Sequence, residues 1–153
     1  MDEIAPEIMQ ALGRIVIASA RVEALTAEFL SYLLNANKGA MYVLNQGVAN
    51  STQIKWIKTL ISDFRSEQAQ SVLLDLMSRI DSARIERNSY VHGVWSPGSQ
   101  PATAIVQTVK LDRPEIVRSE LVTAADLDDL ASDIIASGDE LYAILDDIGV
   151  FNV

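Results

Sequence analysis

Apolar residues return at every third or fourth position over most of this chain, and that spacing restricts it to helices packed along their apolar faces. The clearest run is Ile8, Leu12, Ile15, Val22, Leu25, Phe29 and Leu33, which predicts a long first helix with Pro6 in its first turn. Gly13 weakens that helix without breaking it, and Asn37 or Gly39 is placed for a left-handed cap at its end. "AMYVLN" predicts a short helix and "QGVANS" a turn. Ser51 then reads as the N-cap of a helix carrying Ile54, Ile57, Leu60, Ile61 and Phe64 on one face. Ser66 caps a further long helix, running from Glu67 to His92, with Gly93 placed to stop it.

After Gly93 the period changes. "SPGSQP" is a loop signal. In "TAIVQTVKL", Ile105, Gln107, Val109 and Leu111 alternate with their neighbours; "DRP" breaks the run and "EIVRSELV" predicts a second strand. Thr123 opens the last helix, with Asp126 completing a capping box. Leu127, Leu130, Ile134, Ile135, Leu141, Ile144 and Leu145 form its apolar face, and Gly149 ends it. The expected fold is all-α: an up-and-down helical bundle of four to five helices, with a short β-hairpin or extended arm inserted before the last helix. Residues 1–153 read as a single domain.

Composition narrows the function classes. Cysteine is absent, which removes disulfide and thiolate chemistry, and a single histidine makes a structural zinc site a poor fit. No apolar run reaches the length of a membrane span; "GRIVIASA" is flanked too closely by Arg14 and Arg21. "MDEIAPEIMQ" lacks the basic and apolar regions of a secretory signal. These features read as a soluble cytoplasmic protein without a membrane partner. A net charge of −9 argues against general nucleic-acid binding, so any such reading needs a local basic site.

On the helix ending at His92, Leu73, Met77, Ile80 and Val91 share one stripe, with Leu74 at its margin, and Asp75, Arg79, Ser82, Glu86 and Ser89 lie opposite. Arg84 falls in the middle of the apolar stripe. Arg87 and Asn88 flank its centre line, and Asn88 lies four residues before His92, on the same face. Three explanations are open. A buried arginine can pair with an acid such as Glu23 or Asp81. The cluster can be a polar seam in a homodimer. It can also bind or cut something anionic. Trp56 and Trp95 offer rings for base stacking, but Trp56 reads as core and Trp95 as packing at the helix end. Tyr90 has an exposed angle and can line a cleft. Asp126, Asp128, Asp129, Asp139, Glu140, Asp146 and Asp147 read as solvated helix faces, and no metal site is expected.

The run Arg87-Asn88-x-x-x-His92 resembles the R-x(4–6)-H motif of HEPN domains, including the polar residue after the arginine. The resemblance implies an α-helical bundle that dimerises so that two copies of the motif face one cleft. Many active HEPN proteins are metal-independent endoribonucleases, often toxins or RNA-processing factors, so a homodimer, an RNA substrate and an antitoxin or other protein partner are implied, with no cofactor. His92 would be the acid–base group, Arg87 the anion stabiliser, and Asn88 an orienting group for the phosphate or the imidazole. Arg84 and Tyr90 would contact substrate. Lys55 and Lys58 can add to a locally positive cleft. Other HEPN proteins are non-catalytic and bind nucleotides or partner proteins, which is the alternative reading.

Overall fold

Among the described residues, four of the five helices begin where the local chemistry frees or replaces a backbone donor. Pro6 opens α1 (Pro6–Leu33), having no amide hydrogen to satisfy. Asn37 caps α2 (Lys38–Gly47) by accepting from the amide of Ala40 at 2.9 Å. Ser66 caps α4 (Glu67–Val91) by accepting from Ala69, and the expected Thr123–Asp126 capping box opens α5 (Ala124–Asp147). The exception is α3 (Asn50–Ile61), whose N-cap is Ala49, with no side-chain cap. These elements belong to a computed structural model that describes residues 3–63, 66–110 and 113–151. The expectations for Phe64, Leu111 and the Asp112 of "DRP" fall outside those residues.

Among the described residues the architecture is mostly helical, with five helices and one three-stranded antiparallel sheet, β1 (Val94–Pro97), β2 (Thr103–Lys110) and β3 (Arg113–Thr123), ordered β1-β2-β3 before α5. Helix α1 packs most extensively on α5. The ion pairs Arg14–Asp128 and Arg21–Asp139 climb both helices together, so the two run parallel. Helices α3 and α4 close the core through Ile54, Ile57, Leu76 and Met77, which meet Phe29 and Leu30 in one buried cluster. Burying each such side chain contributes about 1.5–3 kcal/mol. No helix among the described residues is long and apolar enough to cross a membrane.

The expected hairpin is present as the antiparallel pair β2–β3, and the sheet adds a third strand to it. Ser96 and Pro97 of the supposed loop form β1, in register Trp95↔Val106 and Pro97↔Ala104. A four-residue strand ending in proline is too short for alternation to mark. The sheet turns Ala104, Val106 and Val122 into the core. Three boundary expectations also shift. Asn35, not Asn37 or Gly39, takes the left-handed conformation after α1 (φ 48°), because Asn37 is engaged as the next helix's cap. Ser51 lies inside α3 rather than before it. Helix α4 ends at Val91 with His92 as its C-cap. Gly149, with φ 80°, follows α5 as expected.

Candidate functional site

The functional residues expected from the sequence lie along the last turns of α4 and face different surroundings. Arg84 is mostly buried and donates from Nε to Asp81 at 2.9 Å; Arg87 is also mostly buried and donates from Nη2 to Glu23 of α1. Both acids are the ones the sequence offered as partners. Pairing lets the two cations lie on an otherwise apolar stripe, since an unpaired buried charge would be expelled.

These pairs sit at the edge of an open cleft of about 470 Å³ between α1, the α2–α3 turn and α4. Arg84, Arg87 and Asn88 line it together with Glu23, Asn50 and Gln53. A second hollow of about 480 Å³ adjoins it, lined by Lys55, Lys58, Asp81 and Arg84. Ser51 and Arg84 belong to both walls. Around the two hollows, four cationic side chains outnumber the two carboxylates, on a chain of net charge −9. This is the local positive surface that an anionic ligand requires.

No family model matches the chain, and no curated protein or solved structure matches it.

His92 stands apart from that cleft. It caps α4 with φ −102° and ψ 0°, its amide donates to the carbonyl of Asn88 at 3.1 Å, and its side chain is exposed. The site is therefore divided within one chain: Arg84, Arg87 and Asn88 meet in the cleft, and His92 lies one turn beyond Asn88, in solvent. Gly93 fixes how the chain leaves this point. A Cβ there would collide with the Val106 side chain and come within 2.7 Å of the Ser89 carbonyl, so the end of α4 can press against β2 only with glycine at this position.

Tyr90 is not a cleft residue. It is 4% exposed, and its ring lies 6.1 Å from that of Trp95, whose indole donates to the Tyr90 carbonyl at 2.8 Å. The helical wheel showed a free face; the sheet folds back over it. Burial, reinforced by the nearby charges of Glu120, Glu86 and Asp126, pushes the phenol up to about 12. Two other expectations are corrected. Trp56 is 42% exposed because Ile54, Ile57 and Ile61 form the packed face of α3 and leave it to one side. Val91 is exposed because it ends the helix beyond the packed core. The acidic residues of α5 behave as solvated or paired groups, Glu140 accepting from Arg79 at 2.7 Å. The described residues contain no group of three or more His, Cys, Asp or Glu that could hold a metal ion.

Sequence reasoning missed Asn50 and Gln53. Asn50 lay in a segment read as a turn and carried no signal. Gln53 did carry one: it stands four and eight residues before Ile57 and Ile61, a polar side chain in line with an apolar stripe.

Proposed function

We propose that the chain acts as a HEPN-like homodimer that binds single-stranded RNA at the basic cleft and cleaves it without a metal. The observation supporting this reading is the gathering of Arg84, Arg87 and Asn88 with Lys55 and Lys58 on two adjoining hollows, with an exposed His92 one turn away. The guanidinium groups stabilise charge growing on phosphoryl oxygens. An imidazole can move a proton near neutral pH.

In the proposed reaction the ribose 2′-oxygen attacks the adjacent phosphorus. The O2′–P bond forms as the P–O5′ bond breaks, leaving a 2′,3′-cyclic phosphate and a 5′-hydroxyl end. One imidazole accepts the 2′ proton and a protonated imidazole supplies the proton taken by the 5′-oxygen. The chain has one histidine, so the second comes from the other copy, and the exposure of His92 leaves it available to a facing subunit.

The ion pairs favour a second reading, in which Arg84 and Arg87 are structural and the dimer binds a partner or nucleotide without reaction. Purified protein incubated with mixed single-stranded RNA in a chelating buffer, beside His92→Ala, separates the two. Cleavage by the wild type that His92→Ala loses supports the nuclease. No cleavage, or equal cleavage by the variant, leaves the binding module.

A further inference from the structure

The proposed chemistry uses Arg87, Asn88 and His92 and leaves the start of α3 without a role. That start is unusual in its polar satisfaction. The carbonyl of Ala49 accepts from the amides of Thr52 and Gln53 at 2.9 and 3.1 Å. The first amides, of Asn50 and Ser51, have no acceptor within the helix, and no side chain caps them. Asn50 and Ser51 both line the cleft, at the positive end of the helix dipole.

Three residues that line the same cleft, Asn50, Gln53 and Arg87, each also hold a buried polar atom without a partner. Gln53 is 2% exposed, and its Nε2 donates to the carbonyls of Leu44 and Val48, both at 2.8 Å. Those two bonds fix the amide and leave Oε1 as a buried acceptor with nothing to accept. Asn50 Nδ2 and Arg87 Nε are buried donors in the same condition. Folded proteins rarely leave such groups unsatisfied, so three around one cleft point to a ligand. Two donors, the Arg84 guanidinium and the first amides of α3 call for an anion. The lone acceptor calls for a hydroxyl carried beside it.

We propose that this cleft is a subsite for a ribonucleotide phosphate, with the phosphate held by Asn50, Arg84, Arg87 and the α3 N-terminus, and the ribose 2′-hydroxyl donating to Gln53 Oε1. The cleft's volume of about 470 Å³ lies within the usual range for small-ligand sites. The subsite rests on the RNA reading for its place in the function, but its occupancy is a separate matter of binding. It would let the protein distinguish RNA from DNA by binding as well as by reaction.

Titration calorimetry on the full chain tests it, with uridine 3′-monophosphate, its 2′-deoxy counterpart and inorganic phosphate as probes. The ribonucleotide should bind about tenfold or more tightly than the deoxy compound, because the latter leaves Gln53 Oε1 unpaired. Asn50→Asp should weaken ribonucleotide binding by about tenfold or more without lowering the thermal midpoint, since a carboxylate suits a helix start. Equal affinity for ribo and deoxy forms, no binding of any probe, or unchanged binding by Asn50→Asp would overturn the subsite. Selective binding without RNA cleavage would keep the subsite and remove the nuclease; cleavage without selective binding would do the reverse.

Discussion

Arg87 on α4 donates to Glu23 on α1 across the edge of the cleft, and a second nitrogen of the same guanidinium, Nε, is buried without a partner. One side chain thus ties two helices together and leaves one of its own donors unpaired. Arg87→Ala is expected to lower the free energy of unfolding by about 1–3 kcal/mol, through the carboxylate it strands as well as the bond it removes. Adding Glu23→Gln should cost less than the two single changes together. Denaturant unfolding of the four proteins in this cycle checks the coupling; strict additivity would refute the pair.

Gly93 should tolerate no side chain. Gly93→Ala must displace Val106 or the Ser89 carbonyl, at a cost of about 1–3 kcal/mol typical of overpacking. Thermal unfolding reads this directly. The same variant should disturb the end of α4 and the setting of His92 within it.

Tyr90 makes the fold sensitive to high pH. The folded protein holds the phenolic proton more tightly than the unfolded chain, with a value of about 12 against the ordinary 10.0. The stabilisation is complete below pH 10 and fades as pH rises toward about 12. Tyr90→Phe should flatten the alkaline part of the stability profile relative to the wild type. Equal loss of stability in both proteins across that window would show that Tyr90 ionisation is not coupled to folding.

Glu28 gives the opposite end of the scale. Burial raises its carboxyl above the ordinary value, and its Oε2 has no partner. The folded state therefore favours the protonated form, so stability from this group is greatest at low pH and is lost as pH rises through the raised value. Glu28→Gln should raise the unfolding midpoint at neutral pH, and the gain should vanish in acid below the ordinary carboxyl value.

Much of the fold was legible because helical spacing and caps are local signals. Ser66, Thr123 with Asp126, Pro6 and Gly149 all mark the ends expected of them. The partners of Arg84 and Arg87 were legible too, since a cation on an apolar stripe must find an acid. What failed was non-local. Tyr90 looked open because the wheel of one helix cannot register a sheet folding back from beyond Gly93. The four-residue β1 had no periodicity to betray it. The cleft's Asn50 and Gln53 both belong to the first turn of α3, which only tertiary packing brings beside α4.

Two copies of Arg87, Asn88 and His92 are proposed to face one another, and the absence of cysteine makes that arrangement directly measurable. A nitroxide on Glu86→Cys, at an exposed position of α4 near His92, places one spin on each chain for pulsed dipolar spectroscopy. A single narrow distribution at short inter-spin distance is the expected result. No dipolar modulation, or a long separation that keeps the two histidines on opposite sides of the assembly, would contradict it.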